Sequence, residues 1–224
     1  MANIVVSPHY LSTNAGIDIL NKGGNAVDAA IGTNIVQGVV APETCGIGGD
    51  LFSLIWISGD NTPYCLDSSG YAGSNVDMSQ LYSQESIPLD HPMSVTVPGA
   101  VKGWFDMHKQ FGKLSIDNIF KYAIEICNKG FEVSSELHHS LSLHKDKLIK
   151  QESGTELFPN GKTPEIGEII KRSLLGETLK RLSIDGPEYF YTGSVAKKIS
   201  ETLNHVITED DLRSFESKWI KPLS

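Results

Sequence analysis

With 224 residues the chain has room for one large domain or two small ones, and for a sizeable hydrophobic core. Its composition, 40% hydrophobic and 21% charged, is that of an ordinary globular protein. A net charge of -8 speaks against nucleic acid as the main partner, because phosphate binding wants a basic face.

Taken in order, residues 3–7 read as a short β-like run. The N-terminus has neither a basic start nor a long apolar core, so no signal peptide is expected. No run approaches the roughly 18 apolar residues of a membrane span. A soluble cytoplasmic protein that uses no membrane is therefore the expectation. Ser12 or Thr13 is the expected cap of a helix through Leu20, stopped by Gly23 and Gly24, with Lys22 in the last turn where a cation suits the helix dipole. Asn25 caps the next helix, and Asp28 at its third position puts a carboxylate at the positive end. Asp28 is the only charge between Gly23 and Pro42, so this helix is apolar nearly all round and belongs inside. After Pro42 a glycine-rich corner at residues 46–49 should approach another backbone or a ligand closely. The strand at residues 51–57, LFSLIWI, is an almost continuous apolar run, which suits a strand covered on both faces. Residues 23–57 are thus the expected core helix and core strand of a layered α/β domain.

Residues 58–61 are a strong turn signal and lead to a second strand at 64–68, so the pair reads as a hairpin. Residues 69–92 read as loop with a short helix at 78–82. Residues 94–97 read as a strand running into Pro98-Gly99. Helices are expected at 100–111, 116–128 (closed by Gly130), 134–151, 177–182 and 194–203, with loop at 154–164 and a turn at 185–187. Residues 208–212 have the look of a capped helix start. Residues 219–224 add no closing element. Near residue 130 an apolar, glycine-rich part, 1–130, gives way to a polar helical part, 131–224.

Each candidate for chemistry has a plainer explanation. The GIGGD corner at 46–50 lies in the order helix, corner, strand, whereas a phosphate loop needs a strand before the glycines and a helix after them. It reads as a structural corner. The three cysteines, Cys45, Cys65 and Cys127, are odd in number and widely spaced, with no CxxC pair, which speaks against a disulfide framework or a zinc site. Cys45 reads as a small buried residue. His138 and His139 are adjacent and leave a helix on different sides, so with His144 they read as a solvated face and not as metal ligands. GxSxG is absent, since Ser69 sits in Asp67-Ser68-Ser69-Gly70-Tyr71. No catalytic residue, metal or cofactor is assigned.

Five stretches in sequence order resemble the γ-glutamyltranspeptidase, or glutathione hydrolase, family: GGNAVDAA at 23–30, GIGG at 46–49, SVTVPG at 94–99, EYFYTG at 188–193 and TEDDL at 208–212 with Trp219 and Pro222. The resemblance implies an α+β chain that forms part of a four-layer αββα N-terminal-nucleophile (Ntn) hydrolase fold, mixed helices with an incomplete sheet. It implies a proenzyme that cleaves itself, so that a new N-terminal threonine on a small subunit attacks a γ-glutamyl amide without any cofactor. Residues 1–224 resemble the N-terminal portion of the large subunit, so the chain alone is expected to be inactive. The expected partners are a complementary small-subunit-like polypeptide or a second copy, and a small-molecule γ-glutamyl or related amide. A non-catalytic binding or scaffold remnant of the same fold is the alternative. Asp67, Ser69 and Tyr71 are the implied substrate-binding residues. Where the family has an arginine for the glutamyl carboxylate, Ser69 or Tyr71 stands, depending on register. The GIGGDLF form of the corner resembles the branch acting on other small acids.

Overall fold

The computed structural model of the chain describes residues 3–82, 85–152 and 154–222. In chain order they form helices α1 (Tyr10–Asn21) and α2 (Ala26–Val40), strands β1 (Leu51–Ile55) and β2 (Tyr64–Ser68), and helices α3 (Met78–Tyr82), α4 (Ala100–Phe111) and α5 (Ile116–Lys129). Strand β3 (Phe131–Glu132), helices α6 (Ser135–Leu148) and α7 (Gly154–Leu157) and strand β4 (Ile169–Ile170) follow. Helices α8 (Ser173–Asp185), α9 (Glu188–Tyr191), α10 (Gly193–Thr202) and α11 (Glu209–Arg213) and strand β5 (Lys218–Ile220) complete the series. No helix among the described residues is long and apolar enough to cross a membrane. Packing divides the chain into two units of interleaved segments: residues up to 46 with 111–184, and 47–110 with residues from 185 on. The composition change near residue 130 falls inside the first unit.

The first unit is built on α2. Its start is a capping box: Asn25 Oδ1 accepts from the Val27 and Asp28 amides at 2.9 and 3.0 Å, and the Asn25 amide donates to Asp28 Oδ2 at 2.9 Å. Asp28 is fully buried and also accepts from the amides of Lys113 and Leu114, at 3.0 and 3.1 Å, so one carboxylate ties the start of α2 to the turn before α5. Ile31, Ile35, Val36, Val39 and Val40 are buried along α2, with Ile19 of α1 and Ile119, Phe120 and Ala123 of α5. Each of these side chains other than Ala123 contributes about 1.5–3 kcal/mol by leaving water. At the far end of α2, Arg172 donates to the carbonyls of Gly38 and Val39, at 3.0 and 3.3 Å, where the helix leaves acceptors unused.

Two expectations fail at the start of this unit. The cap of α1 is His9, whose Nδ1 accepts from the Leu11 amide at 3.2 Å. Ser12 and Thr13 lie inside the helix, and the buried Ser12 hydroxyl donates to Gln37 Oε1 at 2.7 Å instead. Residues 3–7 form no strand.

The second unit holds the expected hairpin. Strand β1 pairs antiparallel with β2, from Leu51 opposite Ser68 to Ile55 opposite Tyr64. Strand β5 joins the free edge of β2, with Cys65 opposite Ile220 and Asp67 opposite Lys218, so residues 218–220 do close a sheet, in the order β1-β2-β5. Three residues are too few to show a periodicity, which is why this strand is invisible in the sequence. Residues 94–97 are not a strand: Pro92–Ser94 is a 3-10 turn, and only an isolated bridge joins Thr96 to Ala72.

Nor is β1 covered on both faces. Leu51, Leu66 and Ser68 are buried on the inner face, where Gly103 of α4 brings that helix so near that a Cβ there would lie 3.1 Å from Ser68 Cβ. On the outer face Phe52 and Leu54 are 69% and 68% exposed. Alternation places neighbours on opposite faces, and the described residues fill only one of them.

Candidate functional site

The end of β2 is where polar groups converge. Asp67 Oδ1 accepts from both the amide and the hydroxyl of Ser69, at 2.9 and 2.7 Å, a turn that an aspartate two residues earlier promotes. The hydroxyl and the amide of Ser69, and the charge of Lys218 across the strand, hold the Asp67 carboxyl below its ordinary range. The next amide, Gly70, donates to Asp50 Oδ1 at 3.2 Å.

Backbone passes close on either side of this turn. A Cβ on Gly70 would lie 1.7 Å from the Val97 carbonyl oxygen, and one on Gly99 would lie 1.8 Å from that of Ser68. Only glycine fits at such distances. The Ser68 hydroxyl donates to the Gly99 carbonyl at 2.7 Å, and the amides of Gly99 and Ala100 donate to the Gly49 carbonyl at 3.0 and 2.8 Å. The glycine corner therefore does meet another backbone, through Gly49, at the start of α4. Tyr191, itself buried, fixes the same point: its hydroxyl donates to the Pro98 carbonyl at 2.7 Å and accepts from the Lys102 amide at 3.0 Å.

Asp67 and Ser69 are brought together, and the Tyr71 hydroxyl reaches a different partner. Its hydroxyl donates to the Asp211 carbonyl at 2.7 Å, and its ring stands 6.0 Å from that of Phe215. Burial and the neighbouring Asp211 push its phenol up. With its hydrogen committed, the phenol offers an incoming carboxylate only lone pairs. Sequence reasoning missed Asp211 and Lys218. Asp211 was legible as the third residue of a capping box but not as the acceptor for Ser74, at 3.0 and 2.9 Å, because the two are 137 residues apart. Lys218 depended on the unrecognised β5.

The remaining candidates are quiet. His138 Nδ1 lies 2.8 Å from the Pro164 carbonyl oxygen, and His139 and His144 are exposed. Among the described residues no group of three or more His, Cys, Asp or Glu side chains is placed to hold a metal. Cys45 is half-buried, and burial pushes its thiol up. Burial raises Cys127 to about 12. Neither has the lowered value of an activated thiol.

The sequence model of the family described as Gamma-glutamyltranspeptidase matches residues 12–224. The chain belongs to the γ-glutamyltranspeptidase family. The glutathione hydrolase-like YwrD proenzyme of Bacillus subtilis (strain 168) is 32% identical over 226 residues, which cover 99% of this chain and 43% of the relative. The transpeptidase enzyme CapD of Bacillus anthracis superposes with a TM-score of 0.83 at 31% identity, over 99% of this chain and 71% of that one. The γ-glutamyltranspeptidase of Helicobacter pylori superposes with a TM-score of 0.89 at 26% identity, over 100% of this chain and 66% of that one. The expected α+β architecture, part of the αββα Ntn-hydrolase fold, is therefore the one this γ-glutamyltranspeptidase relative adopts. Its chain spans less than half the length of the curated relatives it matches, 43%, 38% and 39% of the first three.

Proposed function

We propose that this chain is the large-subunit portion of an amide acyl-transfer enzyme. In this reading the acyl group of a γ-glutamyl or related small-acid amide passes to water or an amine, and a threonine on polypeptide beyond residues 1–224 makes the attack. The Asp67-Ser69 turn lines the substrate pocket, with Asp67 ionised to meet a cationic group. Tyr71 supports that wall from behind through Asp211. The observation that carries the reading is the family match along residues 12–224. Its support is the open apolar face of the β1-β2-β5 sheet, which a complementary polypeptide would cover. The B. subtilis relative, named as a proenzyme, of which this chain spans 43%, points the same way.

The test is release of chromophore from a γ-glutamyl anilide, and of ammonia from small-acid amides. It is run with the chain alone and with the chain co-expressed with the remaining portion of the B. subtilis relative. Turnover is expected only in the second case. Turnover by the chain alone, lost on changing one of its own residues, overturns the proposal.

A further inference from the structure

Residues 97–99 are the backbone against which the Asp67-Ser69 turn is pressed. The Val97 carbonyl stands where Gly70 would carry a side chain, and the Ser68 carbonyl stands where Gly99 would carry one. With no gap at either point, a shift of residues 97–99 passes into the turn, because a close-packed interior transmits displacement. This backbone cannot secure itself. Pro98 has no amide hydrogen to give, and its buried carbonyl needs a donor. Lys102 is the third residue of α4, so its amide has no acceptor within the helix. The Tyr191 hydroxyl serves both from a distant part of the chain, donating to the Pro98 carbonyl at 2.7 Å and accepting from the Lys102 amide at 3.0 Å. Its ring reaches the turn by a second route. It stacks on Phe215 at 5.9 Å, and the Phe215 ring stands 6.0 Å from that of Tyr71, which lies just beyond Ser69. Phe190 meets the Tyr191 ring edge-on at 5.1 Å.

We infer that Tyr191 is a positioning residue for the Asp67-Ser69 turn: its phenol pins residues 97–99 and so sets where the Asp67 carboxylate and the Ser69 hydroxyl stand for a substrate. The inference rests on the acyl-transfer reading above. In that reading the turn binds the small amide, and a threonine beyond residues 1–224 attacks it. Tyr191 touches neither and acts only through backbone and rings. The amide and hydroxyl of Ser69 both hold Asp67 Oδ1, so the turn moves as a unit when its backing shifts. Freeing residues 97–99 therefore weakens substrate binding and leaves the bond-breaking step alone, which reads as a higher KM at constant kcat.

Tyr191→Phe keeps the ring and removes only the hydroxyl, and circular dichroism checks that the fold is kept. The full-length protein carrying this chain is assayed on a γ-glutamyl anilide, and its backbone hydrogen exchange is followed by mass spectrometry. KM is expected to rise about tenfold, with kcat within about twofold of the wild type. The peptide covering residues 66–71 is expected to exchange several-fold faster. Asp28→Asn weakens the fold in the other unit and controls for lost stability, so it should leave KM unchanged. An unchanged KM in Tyr191→Phe, an equal rise in Asp28→Asn, or faster exchange confined to residues 98–102 overturns the inference and leaves the reading standing. No turnover by the wild type removes the acyl-transfer reading. Faster exchange at 66–71 then leaves the positioning standing, and unchanged exchange there overturns it as well.

Discussion

Asp28 shows how much one residue can carry. Its place at the third position of α2, a carboxylate at the positive end of the helix, is legible in the sequence, and the structure adds its bond back to the Asn25 amide, the second half of a capping box. Its service to Lys113 and Leu114 is not, because no local pattern points to amides 85 and 86 residues away. Replacing it with alanine strands three amides, those of Asn25, Lys113 and Leu114, around a fully buried position. Each costs about 1–3 kcal/mol if left unpaired. Asp28→Ala should lose about 3 kcal/mol or more in urea unfolding, and Asp28→Asn, which keeps one acceptor, should lose less. Gly70 makes the same point in another way. The sequence places it only in a loop, whereas its need is steric, with the Val97 carbonyl in the place of a side chain. Gly70→Ala should therefore cost as much as a severe core change, about 3 kcal/mol or more, and lower the thermal midpoint accordingly.

The elements that were readable are those that declare themselves locally. Helix α2 has a cap, an apolar run and a proline stop, and the β1-β2 hairpin has two apolar runs around a turn. Strand β5 and the β3-β4 pair have three and two residues per strand, so nothing but a partner defines them. Helix α11 lies between these cases. Thr208 and Asp211 cap it reciprocally, as the sequence predicts, while Ser74 adds two further donors to the same carboxylate. Burial pushes the Asp211 carboxyl up, but the hydrogen bonds from Ser74 and Thr208 outweigh it, and the net value lies below the ordinary 3.8. A depressed folded value means stability that is present above about pH 4 and lost as pH falls through the folded value. Asp211→Asn should cost about 1 kcal/mol at neutral pH, a typical cap loss. Its stability should converge on that of the wild type as the pH falls below 3.8, the carboxyl's ordinary value. Urea midpoints of both proteins between acid and neutral pH measure this.

At the scale of the molecule, composition and packing divide the chain differently. The shift near residue 130 is a local property of the sequence. The two units are defined by contacts such as that of α2 with α5, which skip the intervening hairpin altogether. The site was half legible for a related reason. The family resemblance pointed to the Asp67-Ser69 turn as a candidate, but the open sheet face beside it depends on which side chains the described residues leave uncovered. That face now decides how the chain behaves. Phe52 and Leu54 are 69% and 68% exposed and stand beside Ile220, at 45%, on one side of a sheet whose other side is core. Apolar surface gathered in this way binds hydrophobic dyes and seeks a partner. The double variant Phe52→Asp with Leu54→Lys puts charge on the open side without touching Leu51, Leu66 or Ser68, so the hairpin should keep its far-ultraviolet signature. Dye fluorescence should fall several-fold relative to the wild-type chain, and co-purification with the remaining portion of the B. subtilis relative should be lost. Dye binding and co-purification both unchanged would place the association surface elsewhere and leave the open face of the sheet a solvent-facing one.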